Sequence, residues 1–112
     1  MSGITSHVLD TSQGKPGSGI EIVLERAGDN SDWQLVGRGT TNDDGRCPGL
    51  TGEEIEAGHY RINFLVDDYF KKQNADAFYP VVRIEFFVSD AQQHYHVPLL
   101  LNPFGYSTYR GS

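Results

Sequence analysis

The sequence predicts an all-β antiparallel sandwich with one short helix, because turn-forming residues punctuate it at close intervals and the segments between them alternate apolar with polar. Gly14 to Gly19, Gly28 to Asp32, Asn42 to Gly45, Gly49 to Gly52 and Asn102 to Gly105 are clusters of residues that tolerate tight turns. Short strands between many turns are the pattern of a sandwich.

The alternation is plainest in three segments, since a strand turns successive side chains to opposite faces. Ile20, Ile22 and Leu24 alternate with Glu21 and Glu25. Tyr60, Ile62, Phe64 and Val66 alternate with His59, Arg61 and Asn63. Val82, Ile84, Phe86 and Val88 alternate with Arg83 and Glu85. Between the last two, Asp67-Asp68-Tyr69-Phe70-Lys71-Lys72 has acids first and bases last, which suits the dipole of a helix of one or two turns. From His94 to Leu101 one face carries Tyr95, Val97, Leu99 and Leu101, and the other His94, His96, Pro98 and Leu100. Two imidazoles beside Pro98 and Leu100 predict a partly covered face, a subunit interface or a cleft wall. A last strand is expected at Ser107-Thr108-Tyr109-Arg110, an edge open to pairing with another subunit.

With 112 residues, the chain suits one domain, residues 1–112, with one hydrophobic core. Its 38% hydrophobic and 21% charged residues are those of a folded globular protein rather than a disordered one. A net charge of -6 without any basic run predicts no nucleic-acid partner and no anionic membrane surface. The single cysteine, Cys47, allows neither an internal disulfide nor a cysteine metal site, so a cytosolic location fits best. The peroxisome, or the periplasm after removal of a leader, is the alternative. The start at Met1 lacks the apolar core of a secretory signal, and no apolar run approaches the roughly 18 residues of a membrane span.

Taken alone, the candidate chemical residues are ambiguous. His94 and His96 form a His-x-His pair without an evident third ligand, so no metal is expected and His94 reads as a half-exposed spacer. Arg46 after Asp44-Gly45 has the position of a turn residue. Cys47 reads as a buried thiol rather than a nucleophile, and His59 at a strand start receives no role. The Gly14 to Gly19 stretch lacks the ending of a phosphate loop and reads as a flexible connection.

The run His94-Tyr95-His96-Val97-Pro98-Leu99-Leu100-Leu101-Asn102-Pro103-Phe104-Gly105-Tyr106-Ser107-Thr108-Tyr109-Arg110-Gly111-Ser112 closely resembles the signature of the transthyretin-like family of 5-hydroxyisourate hydrolases. Its close, Tyr109-Arg110-Gly111-Ser112, is the ending that distinguishes these enzymes from the hormone-carrying transthyretins. Ser6-His7-Val8-Leu9-Asp10-Thr11, Gly14-Lys15-Pro16, Asn42-Asp43-Asp44-Gly45-Arg46 and Phe78-Tyr79-Pro80-Val81-Val82 extend the resemblance over almost the whole chain.

The resemblance implies a transthyretin-like sandwich of seven or eight strands, assembled as a homotetramer, a dimer of dimers with active sites in the channel between the dimers. It also implies hydrolysis of a ring amide of 5-hydroxyisourate in urate catabolism without a cofactor. It assigns the catalytic work to His7, Arg46, His96 and Ser112, with Tyr109 and Arg110 joining His7, Arg46 and Ser112 around the substrate. A neutral imidazole can accept a proton from water at neutral pH, so either His7 or His96 suits the base. Arg46 offers a planar, permanently charged fork to carbonyl oxygens and to a developing oxyanion. Ser112 would bring a hydroxyl and a terminal carboxylate. The competing readings are a transthyretin-like carrier of a small ligand, which the polar set His7, Arg46, His96 and Ser112 disfavours, and an immunoglobulin-like module. The latter offers no reason for the Tyr109-to-Ser112 ending, and the single Cys47 denies it the usual disulfide.

Overall fold

The computed structural model describes residues 3–30, 32–52 and 54–111. Among them, β1 (Gly3–Asp10), β2 (Lys15–Pro16), β3 (Glu21–Ala27) and β4 (Trp33–Thr40) precede a long connection. Then come β5 (Gly58–Leu65), α1 (Asp67–Lys71), β6 (Val82–Val88), β7 (His94–Asn102) and β8 (Gly105–Thr108). The strands form two four-stranded sheets, ordered β2-β1-β7-β8 and β4-β3-β5-β6. Neighbours pair antiparallel except β1 and β7, which run parallel with Gly3 opposite His94 and Asp10 opposite Leu101.

Both sheets feed one core. Val8, Leu99 and Leu101 from the first sheet meet Ile22, Leu24, Ile62 and Phe64 from the second, all essentially without solvent exposure. The alternation expected for β3, β5 and β6 is what buries these residues, at roughly 1.5–3 kcal/mol for each large side chain fully removed from water. Three strands lacked that hydropathic signal. The inward residues of β1 are Ile4, Ser6, Val8 and Asp10, so its burial alternates while its polarity does not. The second strand, β2, has only two residues. In β4, an edge strand, Leu35 and Val36 are exposed and Gly37 and Gly39 interrupt the pattern. A Cβ at Gly37 would run into the Leu50 carbonyl, so this strand forgoes side chains to let the long connection lie against it.

The expected last strand lies two residues earlier, at Gly105–Thr108, because Asn102 pairs with Gly105 across the tight Pro103-Phe104 turn. The ladder then breaks at Pro98, which has no N–H to give. Thr108 Oγ1 donates instead to the Pro98 carbonyl at 2.7 Å. Gly111 rejoins β7 in the same register, its N–H donating to the His96 carbonyl at 2.8 Å.

The polar residue that ends β1 is fully enclosed. Asp10 accepts from the Ser12 hydroxyl (2.6 Å), the Ser12 amide (3.0 Å), the Gln13 amide (3.3 Å) and side chain (3.1 Å), and the Tyr69 hydroxyl (2.6 Å). These bonds close the turn after β1 and clamp α1, whose Tyr69 and Phe70 are buried, onto that strand. Burial alone would raise the Asp10 carboxyl, but the Ser12 and Tyr69 hydroxyls and the Gln13 and Ser12 amides outweigh it and hold it below the ordinary carboxylate value. The Tyr69 phenol, buried and donating to that carboxylate, is pushed up to about 12.

A depressed carboxyl contributes stability above its unfolded pKa and loses it as pH falls through the folded one. Asp10→Asn is therefore expected to be less stable than the parent near neutral pH, with a gap that closes on acidification through the carboxylate range. Tyr69→Phe is expected to cost about 1.5–3 kcal/mol, the worth of a bond to a buried charge. Urea midpoints at constant m-value measure both, and a pH-independent gap for Asp10→Asn contradicts the assignment.

Candidate active site

A cleft of about 510 Å³ opens on the outer face of the β1–β7 pair, its walls including Thr5, Asn42, Arg46, Cys47, His94 and His96. Residues two apart on a strand share a face. His94 and His96 of β7 therefore stand together, half-buried, and the parallel register sets Thr5 of β1 opposite His96. The Thr5 hydroxyl bridges the rings, 2.8 Å from His96 Nδ1 and 3.0 Å from His94 Nε2. His7 follows Thr5 on the same face.

Arg46 reaches this face through a turn built by Asn42. The Asn42 side-chain carbonyl accepts from the amides of Asp44 (2.9 Å) and Arg46 (3.1 Å), while the Asn42 amide donates to the Arg46 carbonyl (2.8 Å). Gly45 sits at φ 77°, where side chains are strained, and a Cβ there would strike the Val8 carbonyl. That close approach lets the Val8 amide donate to the Gly45 carbonyl at 2.8 Å, with Arg46 bridged to His7. The His7 ring is tied to the same turn, 2.8 Å from Nε2 to the Asp44 carbonyl. A carbonyl only accepts, so Nε2 carries the proton and Nδ1 of a neutral His7 holds the lone pair.

The environment favours the neutral form of His96. Burial lowers its pKa below the ordinary histidine value, and the permanent charge of the Arg46 guanidinium pushes in the same direction. Burial raises the Cys47 thiol, so it stays protonated and is a poor nucleophile. Among the described residues no group of three or more His, Cys, Asp and Glu side chains converges to hold a metal.

Thus the structure brings together His7, Arg46 and His96 of the expected set. Tyr109 and Arg110 lie elsewhere, along an apolar groove between β6 and β8. There Arg110 bonds Gln93 at 2.9 Å and stacks 4.4 Å from the centre of the Tyr95 ring. Ser112 lies outside the described residues. His59 is engaged with Glu85 at 2.8 Å on the other sheet, consistent with its having no part in the cleft. Sequence reasoning missed Thr5 and made His94 a spacer; both take their place from a pairing between segments 91 residues apart, for which the linear sequence holds no signal.

Removing the nearest fixed positive charge is expected to move His96 part of the way back towards an ordinary histidine. Arg46→Gln should therefore raise its titration midpoint in an NMR pH series, while the burial contribution remains. An unchanged midpoint would show that Arg46 and His96 do not share the cleft.

Residues 4–111 match the model of the HIUase/Transthyretin family. A 5-hydroxyisourate hydrolase of Salmonella dublin is 46% identical over 110 residues, covering 97% of this chain and 80% of its own. The structure of Klebsiella pneumoniae 5-hydroxyisourate hydrolase superposes with a TM-score of 0.88 at 30% identity over the whole of both chains. Sea bream transthyretin in complex with thyroxine superposes with a TM-score of 0.91 at 26% identity, over 96% of this chain and 93% of its own. Backbone shape is therefore shared by enzyme and transthyretin alike, and this chain belongs to the HIUase/Transthyretin family.

Proposed function

We propose that this protein hydrolyses 5-hydroxyisourate to 2-oxo-4-hydroxy-4-carboxy-5-ureidoimidazoline, a step of urate catabolism. The observation that carries the reading is a histidine whose burial favours its neutral form and an arginine whose backbone is held by the Asn42 turn, both lining one cleft of a size suited to a small heterocycle. The Salmonella and Klebsiella relatives, both named as hydrolases of this compound, support it.

The chemistry needs no more than these groups supply. A neutral imidazole takes a proton from water as the water oxygen attacks the ring amide carbonyl. The Arg46 guanidinium meets the negative charge that develops on the carbonyl oxygen. The protonated imidazole then returns its proton to the ring nitrogen as the C–N bond breaks, leaving the opened ring and a carboxylic acid that releases its proton to solvent.

The reading includes a homotetramer built as a dimer of dimers. Its support is the half-buried outer face of Leu9, His94, His96 and Leu100, together with two exposed sheet edges, β6 and β8. Packing a second copy over that face would narrow the open cleft and exclude water from it. A carrier role on the same fold is disfavoured by the lining, since an apolar ligand would strip water from Arg46 and the imidazoles without replacing its hydrogen bonds.

With 5-hydroxyisourate generated in situ by urate oxidase, the protein is expected to accelerate its ultraviolet decay well beyond the spontaneous rate. His96→Ala and Arg46→Ala should each lower kcat/KM by about a hundredfold or more, with urea midpoints close to the parent's. A folded parent that leaves the decay unchanged ends the hydrolase reading in favour of the carrier.

A further inference from the structure

We propose that His94, acting through Thr5, fixes the tautomer of His96, so that Nδ1 of His96 accepts a hydrogen bond and its Nε2–H is the group offered to the substrate. The inference rests on the hydrolase reading and assigns the roles of its two histidines.

The Thr5 hydroxyl lies 3.0 Å from His94 Nε2 and 2.8 Å from His96 Nδ1. It has one proton, so in any network satisfying both contacts with neutral rings it donates to one ring and accepts from the other. The buried far nitrogen of His94 decides the direction. Nδ1 has no hydrogen-bond partner among the described residues. If Thr5 donated to His94, the proton of that ring would sit on Nδ1 as an enclosed, unpaired N–H. If His94 donates, Nδ1 is an unused lone pair. Orphaned buried donors are the rarer defect, because an unmade N–H bond forfeits the full hydration of a strong donor. The chain of bonds therefore runs from His94 Nε2–H to Thr5 Oγ1, and from the Thr5 hydroxyl to His96 Nδ1. Protonating His94 on both nitrogens would recreate the buried N–H and add a charge to it. The framework holds the three groups in place, since Thr5 has a β-branched, stiff side chain and both strands lie in one ladder.

A neutral His96 in this form presents a donor and not a base. Beside Arg46 it polarises the ring carbonyl and holds the oxyanion, as a neutral imidazole can without giving up its proton. The proton shuttle then belongs to His7. Its Nε2–H is spent on the Asp44 carbonyl, and its Nδ1 lone pair takes the proton of water and delivers it to the departing ring nitrogen. His94, once read as a spacer, becomes a positioning residue.

The test is nitrogen-15 NMR of the ligand-free protein labelled at histidine, read at a pH where His96 is neutral. His96 Nδ1 is expected at an unprotonated shift and Nε2 at a protonated one. His94→Leu and Thr5→Val should shift the population towards the opposite tautomer, while His94→Gln and Thr5→Ser, which restore a donor or hydroxyl, keep it. In turnover, His94→Leu should lower kcat about tenfold with KM little changed, part of what a correctly placed donor supplies, and His94→Gln should recover most of it. A proton on His96 Nδ1 in the parent, or a tautomer indifferent to both His94→Leu and Thr5→Val, overturns the relay. A parent with the expected tautomer but no effect on 5-hydroxyisourate supports the relay and sinks the hydrolase reading.

Discussion

The parallel pairing of β1 with β7 is the constraint on which the rest of the molecule depends. It joins the first strand to the seventh, across 91 residues, a closure whose entropy cost the burial on both sides of the pair must offset. One face of the pair closes the core with Ile4, Val8, Leu99 and Leu101. The other holds Thr5, His7, His94 and His96. Because side chains alternate, a slip of one residue would send the histidines into the core and the leucines into the cleft, so the burial that stabilises the sandwich also fixes the register of the site. Asp10 locks the end of the same strand, binding α1 and the following turn to it with a carboxylate that no solvent reaches.

Two departures from regular pairing then complete the cleft. At Pro98 the β7–β8 ladder lapses, Thr108 covers the idle carbonyl, and Gly111 comes back to β7 beside the His96 ring. A Cβ on Gly111 would stand 2.6 Å from Cδ2 of that ring, so only glycine allows the chain to pass so close. On the other side, the Asn42 turn lays Gly45 and Arg46 along β1, and Gly45 again makes the approach sterically possible. Backbone proximity, not length of side chain, sets where the guanidinium begins.

How much of this the sequence displays follows from the range of each interaction. The strands β3, β5 and β6 and the helix were legible because alternation and the charges of Asp67, Asp68 and Lys71 are local properties. β1 was not, because its inward face mixes Ile4 and Val8 with Ser6 and Asp10, whose burial depends on bonds that hydropathy does not display, from Ser6 to the Val97 carbonyl and to Asp10 from Ser12, Gln13 and Tyr69. β4 was hidden by glycines that serve a loop lying over it. For the site, family resemblance named His7, Arg46 and His96; the cleft is lined by Arg46 and His96, and His7 stands on the same face of β1, bridged to Arg46. The Thr5 bridge and the engagement of His94 are products of register and had no local trace. The groove that holds Tyr109 and Arg110, on the other flank of β8, was likewise invisible to a reading that treated the closing residues as one motif.

The same backbone serves an enzyme of Klebsiella and a thyroxine-bound transthyretin of sea bream, so the fold alone cannot select between chemistry and carriage. The selection falls to a few side chains on the outer face of one strand pair. Surrounded by apolar residues, that face would favour a hydrophobic ligand. Furnished with an imidazole whose neutral form burial favours and an arginine whose backbone a glycine turn sets in place, it favours a compact, oxygen-rich ring whose reaction develops negative charge. The cost of desolvating His96 is borne by the sandwich, whose core holds the strands of the site in place before any substrate arrives. That prior arrangement is what hydrolysis requires, because dipoles already oriented need not reorganise as the charge forms.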